Sequence, residues 1–156
     1  MTSDRQLPWD ILFAGDQFLF GEKPNAFLAG QIQRLASGGT ALAVADGEGR
    51  NGVWLAEQGL NVLSVDSSVV AQWKAAKLAE TRGVTLKFLR ADLETWMFPV
   101  EHFDVVVAIF IQFSKPEMRS RIFDCMKKSL KLGGIIILEG FSQDQIKYQP
   151  NDHVDI

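Results

Sequence analysis

The chain has 156 residues, the length of one domain with enough material to bury a core. Hydrophobic residues at 47% and charged residues at 22% exclude wholesale disorder, and a net charge of −3 gives no whole-protein field that favours a polyanion. The single cysteine, Cys125, allows no intramolecular disulfide, and the longest apolar stretch, residues 105–111, falls far short of the roughly 20 residues of a spanning helix.

Near the N-terminus "ILFA" is too short for a signal-peptide core, so a cytoplasmic protein with no membrane partner is expected. "LPWDILF" and "PNAFLAGQIQRLAS" predict one or two helices, with Pro24 near the start of the second and Gly38-Gly39 at its end. "FLFGEKPN" between them reads as an aromatic-rich loop. From residue 41 onward, apolar runs of strand length at 41–45, 62–65, 85–89, 105–110 and 135–138 alternate with helical stretches. Ser67 or Ser68 caps a helix carrying Ala71, Ala75, Leu78 and Ala79 on one face, and Gly83 ends it. Pro116 fits the first turn of another helix with Met118, Ile122, Cys125, Met126 and Leu130 on one face, stopped by Gly133-Gly134. Near-continuous aliphatic strands separated by helices predict an α/β fold built on a doubly wound, mostly parallel sheet.

In such sheets ligands sit beyond the carboxyl ends of the strands. The loop 46–52 leaves the first strand there, and its Gly47-x-Gly49-x-x-Gly52 spacing matches the dinucleotide fingerprint. That spacing alone is weak, because a tight strand-to-helix turn produces it too. Asp66 ends the second strand, 17 positions past Gly49, where a carboxylate reaches a ribose diol. After the third strand, Asp92 is placed to accept from an adenine amino group, with Leu93 packing on the ring; its structural alternative is a turn cap.

With these pieces in order, the chain resembles the class I S-adenosylmethionine-dependent methyltransferases, and within them the small bacterial group related to tellurite-resistance and thiopurine enzymes. The matching segments are "FGEKPNAFL", "GEGRNGVWLAEQG", "VLSVDSS", "RADLETW" and "LKLGGIIILEGF". The resemblance implies one Rossmann-like methyltransferase domain over 1–156: an N-terminal helical lid (1–40), a cofactor-binding core (41–140) and a short tail (141–156). It implies S-adenosylmethionine as cofactor, Gly47 and Gly49 against its methionine part, and Asp66 with Ser67 at the ribose. Asp92 and Leu93 would hold the adenine, Phe110 and Ile111 would lie by the methionine end, and Phe20 and Gly21 would belong to the lid.

Two departures accompany the resemblance. Family members place an acid four residues before Gly47 and a glycine two before it, where this chain has Ala43 and Ala45. Asp46 or Glu48 is then expected to supply the negative charge that a sulfonium and an ammonium call for, while Arg50 and Asn51 brace the loop. The usual C-terminal strand pair is also missing, which leads us to expect an exposed sheet edge and either a form completed by self-association or an enzyme weakened by the shortening.

Methyl transfer from a sulfonium is a direct displacement that needs alignment and exclusion of water, with a general base only if the acceptor must lose a proton. Gln112 and Glu139 are the candidates for orienting a small-molecule acceptor; nucleic acid is a less expected one. No Cys/His cluster suggests a metal. The competing readings are a non-catalytic module that binds S-adenosylmethionine or another adenosine ligand, and an NAD-dependent oxidoreductase resting on the glycine spacing alone.

Overall fold

Aliphatic runs that bury both faces of a strand assemble into a five-stranded sheet in which every described pairing is parallel, in the order β3-β2-β1-β4-β5. The computed structural model of the chain describes residues 8–111, 113–142 and 144. Two short helices come first, α1 (Pro8–Leu12) and α2 (Ala26–Gly30), with a 3-10 turn at Ile32–Arg34. The alternating core follows as β1 (Thr40–Val44), α3 (Arg50–Glu57), β2 (Asn61–Asp66), α4 (Val69–Arg82), β3 (Lys87–Arg90), β4 (Phe103–Ile109), α5 (Pro116–Ser129) and β5 (Leu130–Glu139).

The two-residue period of β1 divides the core. Ala41 and Ala43 pack with Leu55 of α3, Val105 and Val107, whereas Leu42 and Val44 pack with Ile122 and Met126 of α5 and Val106. Helix α4 forms as its sequence predicts: Ser68 Oγ accepts from the Ala71 N–H at 3.1 Å, Gly83 closes the helix at φ 67°, and Ala71, Ala75, Leu78 and Ala79 are buried. Strand order reverses between β1 and β4, so the loops leaving these two strands diverge and open a crevice.

One expectation is corrected. Gly133-Gly134 does not stop α5, which ends at Ser129 and passes directly into β5. The pair lies within β5, where the register jumps from Phe103↔Leu130 to Val105↔Ile135. Gly133 takes a φ of 80°, and a Cβ on Gly134 would lie 3.0 Å from the Lys131 carbonyl. A bulge and a helix stop make the same demand on glycine, so the sequence looks alike for both. The outer edge of β5 has no strand partner among the described residues.

Gly49 sets how closely the first turn approaches α4. A Cβ there would lie 2.5 Å from the Ala75 Cβ, and the φ of 85° is in the left-handed region. Gly49→Ala is therefore expected to destabilise the protein by about 2–4 kcal/mol, combining the backbone penalty with overpacking. Urea unfolding measures it; a midpoint within error of the wild type would refute the close approach.

Candidate active site

The turn after β1 begins with Ala45, a non-glycine residue at φ 49°, and continues through Asp46 and Gly47 to Gly49, the residue that precedes α3. Left-handed torsion at an alanine costs roughly 1–2 kcal/mol and here aims the next residue back under the helix. Asp46 Oδ1 accepts from the Gly52 N–H at 3.0 Å, and its Oδ2 accepts from Ser64 Oγ at 2.7 Å. Gly52 has no side chain because a Cβ would overlap that carboxylate. Enclosure of the carboxyl group pushes the Asp46 pKa up to about 7; the Ser64 and Gly52 hydrogen bonds and the Arg50 charge oppose this, and the Asp66 charge adds to it.

Asp66 sits across from it at the end of β2. Its Oδ2 accepts from the Gly47 N–H and its Oδ1 from the Ser68 N–H, both at 2.8 Å. Burial raises its pKa, the nearby Asp10 raises it further, and these backbone hydrogen bonds work against the rise. Asp10 in α1 accepts from Ser68 Oγ at 2.5 Å, so the N-terminal segment is tied to the same corner. Arg50 is the cation facing this group; burial lowers its pKa, while Asp46 and Glu139 hold it up.

Asp46, Gly47, Arg50 and Asp66 form the floor of a cavity of about 230 Å³. Its walls are aromatic, with Trp9, Phe13 and Phe20 from the N-terminal segment, Phe110 and Phe113 from the loop after β4, and Phe141 after β5. Trp9 meets Phe113 edge-on at 5.6 Å, Phe13 meets Phe20 at 6.4 Å, and Phe110 stacks on Phe141 at 4.6 Å. Phe110 is a second non-glycine residue with positive φ, 55°, so a strained residue stands at the end of each of the two central strands. Ringed by π faces over a carboxylate floor, the cavity is suited to a ligand that carries positive charge near apolar groups.

Residues 41–134 match the family model described as a methyltransferase domain, more than half of the chain. The chain belongs to that family. No curated protein matches it. Among solved structures, the PH0226 protein of Pyrococcus horikoshii OT3 is similar at 23% identity and a TM-score of 0.70, over 81% of this chain and 57% of that one. A protein whose structure is described by the conversion of a disulfide bond into a thioacetal group during echinomycin biosynthesis is similar at 20% identity and a TM-score of 0.75, over 90% and 61%. A S-adenosylmethionine-dependent methyltransferase from Thiobacillus denitrificans, in complex with S-adenosylhomocysteine, is similar at 23% identity and a TM-score of 0.66, over 83% and 53%. The chain thus spans between about half and three fifths of the length of these three structures.

Within this methyltransferase domain, Asp46, Gly47, Asp66, Ser67, Leu93 and Phe110 line the cavity, together with Phe20 and Gly21. Gly49, Asp92, Ile111 and Glu139 do not line it. Gly49 faces α4, and Ile111 is buried in the core beside Ile122. Asp92 is exposed; its Oδ1 accepts from the Glu94 N–H at 2.9 Å and its carbonyl from the Trp96 N–H at 2.8 Å, a turn cap. Glu139 Oε2 accepts from Asn25 Nδ2 at 2.6 Å. Gln112, residues 1–7 and the tail from 145 lie outside the described residues.

Sequence reading missed Phe13, Ala45, Ala91, Ile109 and Phe141 as lining residues. Phe13 lies in the apolar run of the first predicted helix, indistinguishable there from a core residue. Ala45 carried a signal, since it occupies a position where the family resemblance expects glycine, and it adopts glycine's torsion. Among the described residues there is no His/Cys/Asp/Glu group that could hold a metal ion, and no helix long and apolar enough to cross a membrane.

Proposed function

We propose that the protein transfers a methyl group from S-adenosylmethionine to a small-molecule acceptor. The observation that carries this reading is Asp46 at the N-terminus of α3. In a dinucleotide site the pyrophosphate takes the free N–H groups of that helix end. Here a carboxylate already accepts from the Gly52 N–H, with Asp66 facing the same cavity. A pyrophosphate would meet two acids, whereas a sulfonium and an ammonium would be attracted to them.

Asp66 and Ser67 suit the ribose diol, Leu93 the adenine face, and Asp46 and Gly47 the methionine end. Phe110, at the end of β4 and in the cavity wall, suits the methionine part as well. The donor supplies an electrophilic methyl group, its sulfur keeping the bonding pair as a neutral thioether is formed. The protein's share is to align the two partners and to keep water out, which the aromatic walls favour. A cavity of about 230 Å³ supports a small acceptor. The five matching segments support placement near the tellurite-resistance and thiopurine enzymes. Self-association through the outer edge of β5 belongs to the same proposal; a rigid monomer at high dilution with undiminished thermal stability would sink it.

Incubation with methyl-labelled S-adenosylmethionine and a panel of thiol, amine and hydroxyl compounds tests the reaction. Acceptor-dependent formation of S-adenosylhomocysteine is the expected result. Tight binding of the donor with no turnover on any compound would favour a non-catalytic module instead.

A further inference from the structure

Lys74 stands in the apolar stripe of α4, between the buried Ala71 and Leu78. Its side chain is only 13% exposed, and its ammonium meets Glu48, whose side chain is 3% exposed. The same ammonium donates to the carbonyl oxygens of Phe13 at 3.2 Å, Gly15 at 2.8 Å and Gln17 at 2.7 Å, and lies 5.4 Å from the Phe18 ring. An ammonium has three donor hydrogens, and a convergent set of backbone acceptors uses all of them. Glu48 Oε1 in turn accepts from the Leu19 N–H at 2.7 Å. Lysine and glutamate together bind a strap, residues 13–20, whose other backbone contacts are loop-like.

Other residues of the glycine loop bind the end of this segment and the residues just after it. Arg50 donates to the Phe20 carbonyl at 3.4 Å and lies 5.9 Å from its ring, and Asn51 Oδ1 accepts from the Asn25 N–H at 2.8 Å. The strap thereby presses Phe13 onto Gly47, where a Cβ would touch the ring at 3.4 Å, and sets Phe20 in the cavity wall. The space beside the strap, about 230 Å³, is smaller than the ~300–1,000 Å³ of a usual ligand pocket, and movement of the strap would enlarge it for a ligand of nucleoside size.

We propose that the Lys74–Glu48 pair is a latch: it positions the 13–20 strap over the glycine loop, and its release sets how fast cofactor and product leave. The proposal rests on the S-adenosylmethionine reading for the identity of the ligand, and on geometry alone for the latch. Lys74 does not line the cavity and acts through Phe13 and Phe20; Glu48 lines it as well as holding the strap, so the Lys74 variant is the one that isolates the strap.

The test is the double variant Glu48→Gln/Lys74→Met, which removes both charges at once and so leaves no buried ion without its partner. The amide oxygen can still accept from the Leu19 N–H, and unchanged exchange in β1 and β4 reports an intact core. Backbone hydrogen exchange on the ligand-free protein is expected to speed up about tenfold or more across 13–20, with β1 and β4 unchanged. Stopped-flow fluorescence is expected to show S-adenosylhomocysteine dissociating about tenfold or more faster. The single variant Lys74→Arg keeps the charge but presents a planar fork, and is expected to fall between wild type and double variant. Unchanged exchange in the strap would overturn the latch. A loosened strap with unchanged dissociation would overturn it too, since the pair would then only support the fold. Failure of the wild type to bind S-adenosylhomocysteine would instead remove the cofactor reading, with exchange still deciding whether the pair holds the strap.

Discussion

Asp66→Ala is expected to weaken S-adenosylhomocysteine binding by about 1–3 kcal/mol, roughly 5- to 150-fold. Two effects add in the same direction. The carboxylate is the acceptor placed for a ribose diol, and a hydrogen bond to a charged group contributes more than a neutral one. It also fixes the loop, because its two oxygens hold the N–H groups of Gly47 and Ser68. Without them the turn that carries Gly47 loses an anchor and α4 loses part of its start. Asp66→Asn separates the two effects, since its amide keeps one acceptor for the loop while the charge is lost. Calorimetry on both variants should show alanine as the worse of the two. Wild-type affinity in Asp66→Ala would show that this carboxylate does not hold the ligand.

The protein is expected to become less stable as pH rises from about 4 to 7, and Asp46 is the cause. Its ordinary pKa is 3.8 and its folded value is about 7, so between these the folded protein keeps a proton that the unfolded chain has released. The stabilisation is complete below pH 3.8 and is lost as pH climbs through 7. A shift of that size corresponds to at most about 4 kcal/mol. Asp66, whose pKa is also raised, contributes with the same sign. Asp46→Asn should flatten the profile and unfold at higher urea than wild type at pH 8. Identical pH profiles for the two proteins would contradict the raised pKa.

The same group links pH to binding. A ligand that brings positive charge beside Asp46 lowers its pKa, so binding near pH 6.5 should expel a proton and tighten as pH rises toward 8. Calorimetry in buffers of different ionisation enthalpy detects the proton directly. Arg50 and Asp66 face Asp46 as well; the Arg50 charge holds the Asp46 pKa down and the Asp66 charge raises it.

Much of the fold was legible because local signals agreed with the global arrangement. Ser68 and Gly83 mark the ends of α4, the aliphatic runs mark the strands, and parallel pairing follows from the helices between them. Gly133-Gly134 was misread because a helix stop and a strand bulge impose the same torsion. The floor of the candidate site was legible at Asp46, Gly47 and Asp66, which lie next to strand ends. Its walls and its latch were not. Phe13 reaches Gly47, and Lys74 reaches Phe13 across 61 positions of sequence, through contacts that exist only once α1 and α4 are packed. A lysine between Ala71 and Leu78 in an apolar stripe was the available clue to the latch. Asp92 shows the reverse case: a spacing that suggested a ligand contact also makes a turn cap, and the exposed residue does cap a turn.

The most direct test is calorimetric titration of the wild-type protein with S-adenosylhomocysteine, S-adenosylmethionine and NAD. Saturable binding of the two sulfur ligands, with no heat from NAD, is the predicted result. Tight binding of NAD with no response to the other two would contradict it.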